Sequence, residues 1–322
     1  MRLACSLRAK SCANRMASFS PRGENDIIQT LGGDIMRFLK TLGWLALYTF
    51  IFFISSVLAG VFIGYLYSLL DFVGANPNSL DIFFAENLGL MIIMSGILII
   101  AFGSLTLVAR GIHPLKYLQF KRISLQDAAA ATLIGIGFAI FISSLLTVIK
   151  IDSILPDTIT EQMMEAIAEN FPMILLAVGV VVPFYEEFLF RGLIFKEIQK
   201  SSRLWVAVVL QGLLFGIFHL NWFQFIYTFP AGVIIGMVFL RYQSIWAPIL
   251  IHLGWNSTST FLSAILPENT PRAAFLALML LGAGLLFAGL FYTYKIRPRP
   301  PVKEIPETDS LDKNSQPAAE IY

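Results

Sequence analysis

Eight apolar stretches, at residues 42–70, 89–109, 128–149, 171–195, 204–226, 225–240, 245–266 and 273–294, dominate this chain and are set between short polar loops. The hydrocarbon core of a bilayer is about 30 Å thick, and a helix needs roughly 20 apolar residues to cross it. Helix is the required form, because the core offers no water to a bare backbone N–H or C=O. The stretches therefore predict an all-α fold, a polytopic membrane bundle of about eight transmembrane helices. The fifth and sixth stretches share an edge, and the sixth and seventh are short, so those boundaries are loose. Composition agrees: 57% of residues are hydrophobic and 14% charged, mean hydropathy is +0.73, and about a quarter charged is usual in soluble domains.

Where the charges sit says more than the net charge of +2. Arg37 and Lys40 precede the first stretch, whereas the loop after it carries Asp71, Asp81 and Glu86 without a basic residue. Arg110, Lys116, Lys121 and Arg122 fill the next loop, and acids dominate the third. Basic and base-poor loops go on alternating as far as Lys295, Arg297 and Arg299. By the positive-inside rule this predicts eight spans with both termini cytoplasmic. The expected localisation is an integral protein of a bacterial cell membrane.

Three segments follow. Residues 1–35 are expected to be a disordered basic arm or an over-long start, because Met36-Arg37-Phe38-Leu39-Lys40 reads as a natural N-terminus. A transit peptide is a third reading. Residues 36–295 form the membrane domain, and residues 296–322, rich in Pro, Glu, Asp and Ser, form a disordered cytoplasmic tail. Both cysteines, Cys5 and Cys12, lie in the N-terminal arm. Neither a disulfide framework nor a thiol nucleophile is therefore available to the membrane domain.

Ionisable groups inside a span are costly and point to function. Pro183, Glu186, Glu187 and Arg191 interrupt the fourth stretch. Glu187 and Arg191, four apart, share a helix face and pair, while Glu186 points about 100° away. His219 follows Phe215 in the fifth stretch, and His252 with Asn256 lies one turn apart in the seventh. The chain has three histidines; the other, His113, sits in a basic loop. Glycines 232 and 236, and 282, 284 and 289, are read as close-packing positions without chemistry.

A carboxylate and an imidazole can orient and deprotonate water, and a His with an Asn can donate to the oxyanion of a tetrahedral intermediate. That is a recipe for amide hydrolysis. Two His and one Glu also match a catalytic zinc set, so Glu186, His219 and His252 are equally candidates for a divalent metal such as Zn²⁺. The residues leave the two mechanisms open. A zincin helix is excluded by the absence of H-E-x-x-H, and a hydrolase elbow by the absence of G-x-S-x-G. By rise per residue, Glu186 and His252 fall at similar depth, and His219 sits higher unless its helix starts late or tilts.

Taken in order, E-E-x-x-x-R at Glu186, Glu187 and Arg191, F-x-x-x-H at Phe215 and His219, and H-x-x-x-N at His252 and Asn256 resemble the CPBP (Abi) family. This family comprises CAAX-type prenyl endopeptidases and bacteriocin-processing or immunity proteins. The resemblance covers about residues 171–266. It implies an intramembrane endopeptidase in which Glu186 and His219 activate water, His252 and Asn256 stabilise the oxyanion, and Glu187 with Arg191 supports the site. The family is often described as metalloproteases, and a metal-free glutamate mechanism has also been argued for it. Expected partners are a peptide or protein substrate and the lipid bilayer, with no nucleic acid. A non-catalytic immunity or scaffold protein and a proton-coupled transporter are the competing readings.

Overall fold

The computed structural model describes residues 24–74, 80–151, 155, 158–267 and 269–297. The N-terminal 23 residues and the tail from 298 onward lie outside them. Among the described residues the chain is helical, with no strand. The polytopic helical bundle expected from the apolar stretches is the architecture found.

Helix α1, Glu24–Phe72, is 49 residues long, about 74 Å by its rise, more than twice a bilayer core. It begins ahead of Met36, so the last part of the segment expected to be an unstructured arm is helical. After the short α2 (Leu80–Glu86), α3 (Leu88–Ala109) returns beside α1, and the single turn α4 (Pro114–Tyr117) leads to α5 (Leu125–Ile149). Ser124 caps α5 by accepting from the Asp127 N–H at 3.0 Å.

The fourth span is a composite. It runs through α6 (Thr158–Ile174), a π-helical turn at Leu175–Val181, α7 (Val182–Glu187), a second π turn at Phe188–Ile194, and α8 (Phe195–Ser201). Its apolar window is 61% buried, against 11–39% for the other candidate spans. This span is therefore the bundle's axis, and the others pack around it. The remaining helices are α9 (Leu204–Ile217), α10 (Trp222–Tyr242), α11 (Trp246–Ile265) and α12 (Arg272–Phe291).

Six of these helical runs are long and apolar enough to cross a membrane. The two others each have a physical reason. Helix α9 has 14 residues, about 21 Å. Helix α11 has the length, but its second half carries Asn256, Ser257, Thr258, Ser259 and Thr260. The fifth stretch was expected to run to residue 226. Instead the helix stops at Ile217, Leu220 takes a positive φ of 52°, and Asn221 starts α10 by accepting from the N–H groups of Phe223 and Gln224. His219 thus belongs to a turn at a helix end and not to an apolar helix.

Helices α5, α11 and α12 approach through glycines. A Cβ on Gly135 would fall 1.9 Å from the Ile251 carbonyl oxygen, and one on Gly282 would fall 2.4 Å from the Phe141 nitrogen. Backbones in contact at these points fix α11, which carries His252. Gly232 and Gly236 likewise face α9, whereas Gly284 faces open space.

A buried carboxylate closes the basic face. Glu197, 2% exposed, accepts from Arg110 at 2.7 Å and from Lys200 at 2.9 Å, and its backbone carbonyl accepts from Thr41. Arg110 also stacks on Trp44. Burial works against the Arg110 charge, but the Glu197 carboxylate outweighs it and holds the guanidinium pKa above its usual value. Burial first, then Glu197, raises the Tyr117 phenol, which stays neutral beside them. Replacing Glu197 by Leu is expected to cost about 1.5–3 kcal/mol, the scale of hydrogen bonds to charged groups. Thermal unfolding in detergent would measure it, and an unchanged midpoint would show that the cluster does not hold α1 to α8.

Candidate active site

The site is built around Pro183. In the first π turn the N–H of Val182 bonds to the Ala177 carbonyl, five residues back. In that register the next donor, for the Val178 carbonyl, is residue 183, and proline has none to give. Continued in α register, the same proline leaves the Gly179 carbonyl bare. Helix α11 supplies both missing donors. Asn256 Nδ2 donates to Val178 O and Ser257 Oγ donates to Gly179 O, each at 3.0 Å. This stitches α11 to the composite span one turn above His252.

The turn that follows carries the carboxylates. Glu187 and Arg191 are both fully buried and pair at 2.9 Å. The expected i, i+4 pairing is therefore present, but Glu187 does more. The same oxygen, Oε1, accepts the Nδ1–H of His252 at 2.8 Å. Glu186 lies on the other side of that imidazole, with Oε2 at 3.7 Å from Nε2. Adjacent carboxylates on one helix thus flank the two nitrogens of one histidine. His252 is 2% exposed and stacks on Trp255. Among the described residues Glu186 Oε2 has no hydrogen-bond partner.

His219 lies in the turn after α9, packed against Phe215. Its Nδ1–H donates to the Phe215 carbonyl at 2.8 Å, which fixes the tautomer of the neutral ring and leaves Nε2 as an acceptor. The Phe215 ring meets His219 edge-on at 5.1 Å and His252 at 5.7 Å. The Arg191 guanidinium lies over the same ring at 4.8 Å. One aromatic side chain therefore meets the Arg191 guanidinium and both imidazoles.

The candidate metal set was Glu186, His219 and His252. Among the described residues no three His, Cys, Asp or Glu side chains converge as a metal site would require. Glu186 and His252 face each other, while His219 is held to its own helix end. That trio does not fit a shared ion in this geometry.

Two features escaped the sequence reading. The Glu187–His252 bond joins residues 65 apart, and no local pattern announces it. Gln211 is fully buried and bonds to the Gly232 carbonyl. It had a visible signal, because it precedes Phe215 by four residues, on one helix face.

Comparison with known proteins follows the same residues. Residues 168–258 match the family model for type II CAAX prenyl endopeptidase Rce1-like proteins. The chain is 30% identical over 114 residues to the membrane-embedded CAAX protease MroQ of Staphylococcus aureus (strain USA300), covering 33% of this chain and 46% of that protein. It is 25% identical over 91 residues to YdiL of Bacillus subtilis (strain 168), which is provisionally named a membrane peptidase, covering 28% of this chain and 37% of that one. The matched stretch thus spans less than half the length of either relative. No solved structure gives a significant match. All the polar side chains assembled above, from the Val178 turn to Asn256, fall within the segment that resembles the type II CAAX prenyl endopeptidase Rce1-like model.

Proposed function

We propose that this protein is an intramembrane endopeptidase that hydrolyses a peptide bond in a membrane-associated or tail-inserted protein or peptide. The observation that carries the proposal is His252 held between Glu186 and Glu187 in a buried site. A structural imidazole needs one partner, whereas a second carboxylate with an unpartnered oxygen has a cost that catalysis explains.

Glu186 takes a proton from a water that His219 Nε2 helps to hold, and the resulting hydroxide attacks the scissile carbonyl. The oxyanion is held by His252, at the ring nitrogen turned away from Glu187, and by the second amide hydrogen of Asn256, the first being donated to Val178. Glu186 then passes its proton to the leaving nitrogen as the C–N bond breaks, so the carboxylate is regenerated. Glu187, fixed by Arg191, keeps the His252 ring turned toward the reacting carbonyl. Both chain termini lie on the basic, cytoplasmic face.

The test is cleavage of membrane-tethered peptides by the purified protein in liposomes, read by mass spectrometry. His252→Ala should lower the rate on the order of a hundredfold, the loss expected when an oxyanion donor is removed. Undiminished cleavage by that variant would refute the assigned chemistry. Failure of the wild type to cleave, joined to Glu186-dependent solute uptake, would favour a transporter. Binding of peptide without cleavage would favour an immunity protein.

A further inference from the structure

We infer that Gln211 is a positioning residue of this site, acting on His252 through Arg191 and Glu187. The inference rests on the peptidase reading for its catalytic consequence but not for its geometry. Gln211 is fully buried in α9. Its amide nitrogen donates to Val208 O at 2.9 Å, within its own helix, and to Gly232 O of α10 at 2.7 Å. Arg191 donates to the same Gly232 oxygen at 3.1 Å. That carbonyl is the one hydrogen-bond acceptor outside its own helix that either side chain reaches among the described residues.

The chain of contacts is continuous. Gln211 and Arg191 meet on Gly232 O, Arg191 holds Glu187 Oε1, and that oxygen receives His252 Nδ1–H. Glycine makes the junction sterically possible. A Cβ on Gly236 would lie 2.5 Å from Gln211 Nε2, and a Cβ on Gly232 would lie 2.9 Å from Gly212 Cα. These two glycines, expected to serve close packing alone, thus also seat the amide that meets Arg191.

A general structural role for Gln211 would be met by any donor to Val208 or by good apolar packing. Two other facts argue against that. Among the described residues Gln211 Oε1 and Arg191 Nε are both buried without a protein partner, and an apolar side chain at 211 would remove the first of these costs. In addition, Gln211 and Phe215 lie four residues apart on one face of α9, and the Phe215 ring meets Arg191 and both imidazoles.

The experiment compares wild type, Gln211→Met and Gln211→Glu in liposomes, with Glu186→Ala as the inactive control. Methionine keeps the volume and removes the donor. It should lower kcat on the order of tenfold with KM within about twofold, because the misplacement is felt at the reacting centre. Glutamate cannot donate to Gly232 O and competes with Glu187 for Arg191, so its loss should be larger, on the order of a hundredfold.

Ring-labelled histidine NMR gives a readout independent of turnover, since the chain has three histidines. The His252 Nδ1–H resonance should shift or broaden in Gln211→Met. An unmoved resonance with unchanged kcat overturns the inference. A moved resonance in a protein that cleaves no peptide upholds the positioning and sinks the peptidase reading instead.

Discussion

Arg191→Met is expected to destabilise the protein by about 3–5 kcal/mol, because it strands a buried carboxylate. Glu187 is fully buried, and its Oε1 is shared between Arg191 and His252. Methionine fills much of the space of the arginine stem, so the loss arises from charge and not from a cavity. Adding Glu187→Leu should restore most of the stability, since an apolar pair of similar volume often equals or betters a buried ion pair. Cleavage should not return with it, because His252 Nδ1–H then has no acceptor to fix the ring. Denaturant unfolding and peptide cleavage, measured on all three variants, separate the two effects. If Arg191→Met unfolds like wild type, the pair contributes nothing to the fold and its role must be sought elsewhere. If the double variant regains activity, the ion pair does not orient the histidine.

The fold was legible wherever a single physical rule acts along the chain. Hydrocarbon thickness and backbone hydrogen bonding turn apolar stretches into helices, and the glycines at 282 and 289 fall where α12 meets α5. The break at 218–221 was not legible, because Phe218, Leu220 and Trp222 keep the stretch apolar through the turn. Asn221, a good helix N-cap, was the one available sign.

For the site, the sequence carried the residue types and their spacing but not their partners. The Glu187–Arg191 pair follows from helical period, whereas the Glu187–His252 bond depends on how α11 docks on the composite span. Asn256 shows the limit most clearly. Its one-turn spacing from His252 suggested a catalytic donor, yet one of its hydrogens is already spent on Val178 O, a carbonyl that Pro183 leaves open. Pro183 was visible as an interruption of the fourth stretch. Its effect lies in a different helix, through the Asn256 and Ser257 side chains, and no pattern within either helix alone reveals that.

Glu186→Gln should separate chemistry from folding in the opposite direction to Arg191→Met. Glutamine keeps the shape of the side chain, and Glu186 Oε2 has no protein partner to lose among the described residues. A buried negative charge disappears as well, so the unfolding midpoint should stay level or rise. Cleavage should nevertheless fall about a thousandfold, because an amide cannot accept the proton of the attacking water and general base catalysis contributes roughly 10²–10⁴. Glu186→Asp should fall between, since the base is retained but withdrawn from Nε2 of His252, already at 3.7 Å. Single-turnover cleavage beside thermal unfolding measures both quantities on the same samples. Activity within a few-fold of wild type in Glu186→Gln would assign the base to another residue. A collapsed midpoint would mean that this carboxylate holds the bundle together, and the unpartnered oxygen would then lose its catalytic explanation.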